Sequence, residues 1–278
     1  MKIFSTSLLT LLLTTSAIHG GEDPWRGDDY AKNSESQKSS AEDFMKKTGF
    51  SGSESVLDVG CGDGKITAAM AKALVRGAVL GVDISPSMIQ TAQKTFSQEK
   101  NLSFEVTDAA AVNFTEKFDL ITSFTVMQWV LDQRGALHRF EKALRPGGKL
   151  WIQMPTGLPS AMEEALQLTL SDKKWAPYFI HFAAPWKFYS ADEYRTLLID
   201  AHLTPLRLDV ATKHEHFPSR AAFQGFLRQW FPYLRPLPED QKDAFLTALL
   251  DRYFTILPVD NEGRASFIVD RLEIEATK

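Results

Sequence analysis

The sequence predicts an α/β fold with a doubly wound, mainly parallel sheet of seven strands, an antiparallel last strand and a helical cap. Short apolar runs typical of buried strands alternate with segments in which apolar residues recur at helical spacing. A glycine-rich turn follows the first strand, and acidic or hydroxyl residues end the later ones. The carboxyl ends of the strands in such a sheet form a ligand-binding edge, so we expect the functional site there.

Composition limits the class of protein. The chain of 278 residues is 44% hydrophobic, which suffices for one sizeable core. Its net charge of −4 and pI near 5.9 argue against a general nucleic-acid binder, which would present a basic face. Cys61 is the only cysteine, so an intrachain disulfide and a cysteine-based metal site are excluded. We expect a small-molecule substrate, no metal, and a monomer or weak dimer.

The chain divides into three predicted parts. Residues 1–20 hold one charge, Lys2, then a leucine-rich stretch and small residues, and they resemble a secretory signal. This leader is too short to predict a membrane span. Residues 21–50 are a polar arm with a helix over about 37–47. Residues 51–278 form the main domain, with the helical cap at about 218–258.

The first strand and its turn, residues 56–67, indicate the kind of ligand. Gly60 and Gly62 let the backbone turn sharply and lie against a ligand, and the following helix begins with free N–H groups. A dinucleotide site requires a small residue where Lys65 stands. Asp58 lies within the strand, where its negative charge disfavours a pyrophosphate and favours a cation. S-adenosylmethionine, which carries a sulfonium and an ammonium group, fits this pattern.

The next elements repeat the strand-then-helix order. A strand over 78–84 ends at Asp83, about 20 residues past the glycine turn, where an acid can accept both ribose hydroxyls. Strands over 102–108 and 117–124 place Asp108 and Ser123 at the same edge. A helix over 136–144 stops at the turn 145–148, and the fifth strand covers 149–154.

The second half is less regular. An aromatic-rich connection over 175–189 leads to a capping box, Ser190 with Glu193, which opens a helix to about residue 203. Strands are predicted over 206–217 and 266–276. Between them lie helices over 219–230 and 239–254, which we interpret as a cap over the active edge; plain structural packing is the alternative.

Several motifs together resemble the class I S-adenosylmethionine-dependent methyltransferases, whose sheet is Rossmann-like. They are VLDVGCGDG, VLGVDIS, the acidic strand end Thr107-Asp108-Ala109, FDLITSF and LRPGG, within residues 55–155. More loosely, the chain is similar to the trans-aconitate and juvenile hormone acid methyltransferases. That likeness depends on Trp25 with Tyr30, residues 36–38, residues 127–130 and the helices before the last strand.

The resemblance implies a role for each motif residue. Asp58 and the glycine-turn backbone would hold the methionine end, and Asp83 the ribose hydroxyls. Ile84 would lie beside the adenine, with the Asp108 carboxylate and Ala109 N–H on its polar edge. With the edge residue Ser123 added, the expected cofactor contacts are Asp58, Gly60, Gly62, Asp83, Ile84, Asp108, Ala109 and Ser123.

Two residues, together with the lack of an obvious catalytic dyad, predict the class of substrate. The resemblance implies that Gln37 and Trp129 match positions that hold a substrate carboxylate in these methyltransferases, and both carry N–H donors. The sequence shows no obvious catalytic dyad, and a carboxylate is already ionised at neutral pH, so it needs no general base. We therefore expect O-methylation of a carboxylate on a small molecule or acyl thioester, with no catalytic residue assigned.

Three alternatives stay open. An amine, phenol or carbon acceptor would require a base, for which His181, His214 or His216 are candidates. An NAD-linked oxidoreductase could use a similar sheet, and a secreted binding protein could keep the cofactor fold without its activity. The compartment also stays open, because the leader predicts export whereas S-adenosylmethionine is made and kept in the cytosol.

Overall fold

The structure, a computed structural model, describes residues 41–43, 45–47 and 49–278. Within them, seven strands form one sheet. The strands are β1 Ser55–Val59, β2 Ala78–Asp83, β3 Leu102–Val106, β4 Phe118–Phe124, β5 Leu144–Pro155, β6 Thr204–Phe217 and β7 Ala265–Thr277. Their order is β3-β2-β1-β4-β5-β7-β6. Strands β1 to β5 are parallel, and β7 is antiparallel to both of its neighbours, so the predicted fold class is confirmed.

Helices connect these strands and cover the sheet. They are α1 Lys65–Ala73, α2 Pro86–Thr95, α3 Gln133–Ala143, α4 Ser160–Leu170, α5 Ala191–Asp200, α6 Arg220–Trp230 and α7 Glu239–Ile256. Ser85 caps α2 by accepting a hydrogen bond from the Met88 N–H at 3.1 Å. The capping box of Ser190 and Glu193 at the start of α5 is confirmed. These caps fix where α2 and α5 begin.

The apolar core has two main parts. One fills the space between the central strands and helices α3 and α5, with Leu57, Ile121 and Phe140 fully buried. The other joins α4, α6 and α7 to the first residues of β7. Phe223 of α6 and Phe245 of α7 are fully buried in this second part. The two predicted cap helices therefore form a compact layer with α4. Helix α4 is not among the helices predicted from the sequence, although its buried residues recur at helical spacing.

The junction before the fifth strand differs from the prediction. The sequence predicts a turn over 145–148 and a strand from residue 149, but β5 begins at Leu144 directly after α3. Gly147 adopts φ +76°, and its N–H donates to the carbonyl of Lys278 at 3.2 Å. The carbonyl of Gly148 accepts the Lys278 N–H at 3.0 Å. The last residue of the chain thus pairs with this segment, which local sequence could not reveal.

The amino-terminal part is described only from residue 41. Residues 41–43 and 45–47 are helical, which agrees with the end of the predicted helix over 37–47. The Lys47 ammonium donates to a Glu273 carboxylate oxygen at 2.8 Å, which ties this segment to β7. The leader, the aromatic residues of the arm and Gln37 lie outside the described residues. None of the described helices combines the length and apolarity needed to cross a membrane.

Candidate functional site

The glycine turn after β1 is held by close packing and by backbone hydrogen bonds. Gly60 adopts φ +75°, and its N–H donates to the Val82 carbonyl at 2.7 Å. A Cβ atom at Gly60 would lie 2.2 Å from a Val126 methyl group, so any side chain would collide with the segment after β4. Glycine is therefore required both for the backbone conformation and for the close approach of these two loops.

Asp83 at the end of β2 braces the same turn. One of its carboxylate oxygens accepts the Gly62 N–H at 2.9 Å, and the other accepts the Ser85 N–H at 2.9 Å. The carboxylate thus joins the ends of β1 and β2 at the start of α2, where it lines an open cleft. It can accept further hydrogen bonds from hydroxyl groups in that cleft.

Asp108 and its neighbours form the far wall of the cleft. The Asp108 carboxylate accepts the Ala110 N–H at 2.8 Å and caps a short 3-10 turn. Two large apolar side chains, Ile84 at 51% and Leu131 at 65% exposure, also line the cleft. Apolar side chains left open beside carboxylates suit a flat ligand with polar edges, such as a nucleoside.

The cleft has a volume of about 400 Å³, within the range of small-molecule sites. It lies beyond the carboxyl ends of the parallel strands, as expected for this topology. Six of the predicted cofactor residues line it: Gly60, Gly62, Asp83, Ile84, Asp108 and Ala109. Trp129 lines it too. Acids, a glycine floor and apolar walls together fit a cationic nucleoside.

Comparison with known proteins agrees with this geometry. Residues 56–148 match the family described as "Methyltransferase domain". The chain is 28% identical over 256 residues to a trans-aconitate 2-methyltransferase of an Azoarcus species, covering 91% of this chain and 99% of that protein. It is 26% identical over 212 residues to juvenile hormone acid O-methyltransferase of Drosophila melanogaster, covering 72% and 71%. A crystal structure of a candidate methyltransferase from Bacillus halodurans superposes with a TM-score of 0.60 at 17% identity, covering 86% and 99%.

The chain carries a class I S-adenosylmethionine-dependent methyltransferase domain. The matched residues begin in β1 and end within the first residues of β5, so they contain every cleft residue named above. This result sets aside the NAD-linked oxidoreductase. It agrees with the resemblance to the trans-aconitate and juvenile hormone acid methyltransferases.

Asp58 of the methyltransferase lies beneath the cleft and does not line it. Its carboxylate is 2% exposed and accepts hydrogen bonds from the hydroxyls of Thr67 at 2.7 Å and Thr122 at 2.8 Å. Burial raises the pKa of Asp58 to about 6, opposed by these two hydrogen bonds and reinforced by the charge of Asp83. Asp58 therefore joins β1, β4 and α1, and it contributes negative charge to the methyltransferase site from below.

Ser123 occupies a different place from the one the sequence predicts. Its side chain is fully buried, and its hydroxyl donates to the Val59 carbonyl at 3.0 Å. Because Phe124 and Thr125 follow it and line the cleft, Ser123 itself lies one layer below. Its hydroxyl joins β4 to β1, and we leave Ser123 out of the proposed contacts.

The candidate bases of the methyltransferase lie away from the cleft. His214 and His216 are exposed on one face of β6, and His181 is exposed beside the cap. Cys61 is buried within the glycine turn. Burial and the nearby carboxylates raise the pKa of its thiol well above the ordinary value, so Cys61 is not a nucleophile at neutral pH.

A second cavity adjoins the cleft of the methyltransferase. It has a volume of about 80 Å³ and is lined mainly by aromatic and proline residues from β7, α6 and the connection after β5. Thr125 and Trp129 line both cavities, and the rings of Trp129 and Trp186 lie 5.6 Å apart. We call this second space the aromatic pocket.

Several residues of the aromatic pocket were not predicted as site residues, including Thr125, Gln128 and Arg271. Phe267, Val269 and Arg271 alternate along β7 and face the pocket together. A charged residue at an inward-facing position of an apolar strand was the available signal. Thr125 follows β4 and adopts φ +61°, which is uncommon for a β-branched residue. The sequence alone does not predict this conformation.

Proposed function

We propose that this methyltransferase transfers the methyl group of S-adenosylmethionine to a carboxylate oxygen of a small organic acid with an apolar body. The observation that carries the proposal is the shared wall of Thr125 and Trp129 between the two cavities. A donor bound in the cleft and an acceptor bound in the aromatic pocket would meet at this wall. Holding two reactants in contact accounts for much of the rate of such a transfer.

The cofactor contacts proposed here use the groups that line the cleft. The Asp83 carboxylate would accept hydrogen bonds from ribose hydroxyls, and the Asp108 carboxylate from the adenine amino group. The Ala109 N–H would donate to a ring nitrogen, and Ile84 would cover the adenine face. The backbone of Gly60 and Gly62 would hold the methionine end, with Asp58 adding negative charge. When bound, S-adenosylmethionine supplies an electrophilic methyl group on a sulfonium, which an oxygen nucleophile takes with release of the neutral thioether.

The lining of the aromatic pocket supports a carboxylate as the acceptor. Among the described residues, no His, Lys, Asp or Glu side chain lines this pocket, so it offers no general base. A carboxylate needs none, because it is ionised at neutral pH. Three residues that line the pocket carry side-chain N–H groups, namely Gln128, Trp129 and Arg271. Gln37 stays a proposed carboxylate contact, and it lies outside the described residues.

The names of two relatives also support a carboxylate as the acceptor. Both trans-aconitate and juvenile hormone acid are carboxylic acids. At 26% and 28% identity the acceptor need not be the same molecule. The apolar lining of the pocket favours an acid whose body is hydrocarbon, either free or as part of a thioester.

A transfer assay with isotopically labelled methyl groups tests this proposal. The panel should contain phenylacetate, decanoate and trans-aconitate, each paired with an uncharged alcohol or amide of the same shape. Methyl esters are hydrolysed by mild alkali and release volatile methanol, whereas methylated amines, phenols and carbons keep the label. Alkali-labile product from at least one acid, and none from its uncharged partner, is the expected result. Alkali-stable product would assign the enzyme to another acceptor class.

A further inference from the structure

Arg271 of β7 is a buried cation in the wall of the aromatic pocket. The residue is only 5% exposed. One of its terminal nitrogens donates to the Thr125 hydroxyl at 2.9 Å, and the other donates to a Glu215 carboxylate oxygen at 2.9 Å. Glu215 comes from the neighbouring strand β6, and its side chain is 9% exposed. The guanidinium is therefore fixed between the pocket wall and a buried acid.

Donor groups remain unused around this guanidinium. In the part of the chain that the structure describes, the Nε of Arg271 and the indole nitrogen of Trp230 are buried without a hydrogen-bond partner. Arg271 and Trp230 both line the aromatic pocket. Buried donors are nearly always paired in folded proteins, because leaving one unpaired is costly. Among the described residues that line this pocket, these two unpaired donors outnumber the one unpaired buried acceptor, the amide oxygen of Gln128. This balance favours a ligand group that accepts hydrogen bonds.

Arg271 also supports the strained residue between the two cavities. Thr125 keeps its φ of +61° while its N–H donates to the Gln153 carbonyl at 2.7 Å. Its own carbonyl accepts the Gln128 amide at 3.0 Å, and its hydroxyl accepts from Arg271. Strain held by several contacts is common where geometry matters for function. The guanidinium therefore reaches the wall where the donor and acceptor sites adjoin.

We propose that Arg271 positions the acceptor carboxylate at the boundary of the two cavities, and that Glu215 limits the net positive charge of the pocket. This inference depends on the proposed function, since it names the residue that selects the acid. A guanidinium presents several N–H donors in one plane and matches the shape of a carboxylate. Arg271 acts by orienting and attracting the acid, and it takes no part in bond making.

The two partners of the ion pair have opposite expected effects on an anion. Arg271→Gln removes the attracting charge and should weaken acid binding about 10- to 100-fold, as for the loss of a charge-assisted hydrogen bond. Glu215→Gln removes the opposing charge and should strengthen acid binding about 3- to 10-fold. In each variant, the affinity for an uncharged ligand should change less than the affinity for the acid. A purely structural role for the pair would weaken binding in both variants alike.

The experiment measures binding and turnover separately. Phenylacetate and its uncharged partner phenylacetamide are titrated by calorimetry into protein saturated with S-adenosylhomocysteine, and KM and kcat are measured for phenylacetate. Since Arg271→Gln alone leaves a buried acid unpaired, the double variant Arg271→Gln with Glu215→Gln is included to restore a neutral pair. Arg228→Gln, on the exposed face of α6 and paired with Asp243 at 2.7 Å, is the matched control. Thermal unfolding checks that each variant is folded.

The outcomes separate this inference from the proposed function. Weaker phenylacetate binding in Arg271→Gln and in the double variant, with tighter binding in Glu215→Gln, supports the role of Arg271. That pattern without any methyl transfer would overturn the proposed function and leave the role of Arg271 in acid binding intact. Methylation of phenylacetate with the same KM in Arg271→Gln as in Arg228→Gln would overturn the role of Arg271. Equal weakening in Arg271→Gln and Glu215→Gln would overturn it as well.

Discussion

The carboxylate of Asp83 accepts the backbone N–H of Gly62, with 2.9 Å between the oxygen and the nitrogen. This bond connects the end of β2 to the glycine turn after β1. The same carboxylate lines the cleft in which the cofactor is proposed to bind. Asp83 thus has two functions, one in shaping the turn and one in offering acceptors to a ligand.

Substitution of Asp83 tests these functions together. We expect Asp83→Ala to weaken S-adenosylmethionine binding by about 100-fold or more, because two charge-assisted hydrogen bonds to the ribose are lost. Calorimetric titration of the cofactor measures this. Asp209→Ala, on the exposed side of β6, serves as the control and should bind normally. Equal affinity in Asp83→Ala and Asp209→Ala would remove Asp83 from the cofactor site.

Gly60→Ala tests the close packing of the turn. The new methyl group would lie 2.2 Å from a Val126 methyl group at a residue with φ +75°, and we expect a loss of about 2 to 4 kcal/mol in the free energy of unfolding. Chemical denaturation measures the loss. Val126→Ala should restore part of it, since it removes the two nearest atoms but not the Val126 Cβ, which is 2.8 Å away. Full restoration would show that the backbone conformation at Gly60 carries no cost.

Asp58→Asn tests the buried carboxylate through pH. The folded-state pKa of Asp58 is about 6 against an ordinary value of 3.8. The contribution of this proton-binding group to the free energy of unfolding is therefore fully present below pH 3.8. That contribution is lost as pH rises through 6, and the difference corresponds to about 3 kcal/mol. Asp58→Asn has no such charge. We therefore expect it to be more stable than the native protein at pH 8 by a margin that shrinks towards pH 4.

The measurement for Asp58→Asn is the free energy of unfolding of cofactor-free protein at several values of pH. Asp119→Asn serves as the control, since Asp119 is a half-buried acid that is paired with Arg145 and accepts the Ser55 N–H. It should show no gain at pH 8. A stability difference for Asp58→Asn that does not change with pH would mean that Asp58 ionises normally in the fold.

Two tryptophans should separate the donor and acceptor sites. Trp129 lines both cavities, whereas Trp186 lines the aromatic pocket alone. We expect Trp129→Ala to weaken both cofactor and acid binding, and Trp186→Ala to raise the KM of the acid about 10-fold without changing cofactor affinity. Calorimetry for the cofactor and initial rates for the acid measure these effects. Loss of cofactor binding in Trp186→Ala would contradict the separation of the two sites.

The predicted leader over residues 1–20 has its own test. Expression of the full chain with its amino terminus intact, followed by mass spectrometry of the purified protein, gives the mature first residue. Cleavage should leave a chain that begins near Gly21. A chain that retains Met1 or Lys2 would show that the leader is not removed.

Much of the nucleotide-binding half could be predicted, because its signals are local. The glycine turn, Asp83 at the end of β2, Asp108 shortly after β3 and the capping residue Ser85 all act through neighbours within a few positions. The structure has strands and helices where these signals indicate them. Parallel strands then bring such strand ends together by topology alone. Asp83 and Asp108 therefore line one cleft although the sequence separates them widely.

The acceptor half could not be predicted in the same way, because its contacts are long-range. Arg271 meets Thr125 across 146 positions and Glu215 across 56, and no local pattern encodes such pairs. Ser123 was predicted to lie in the cleft because it is a polar residue near the end of β4. The structure instead buries its side chain, and its hydroxyl donates to the Val59 carbonyl. Three-dimensional packing decides which residue at the end of a strand lines the cleft, and local sequence does not predict that packing.

A crystal structure of the protein with S-adenosylhomocysteine and phenylacetate would locate the donor and acceptor sites together. We expect the nucleoside in the cleft against Asp83 and Asp108, and the acid in the aromatic pocket with its carboxylate at the wall of Thr125 and Trp129. An acid bound elsewhere, or a nucleoside that leaves Asp83 without a contact, would contradict this arrangement.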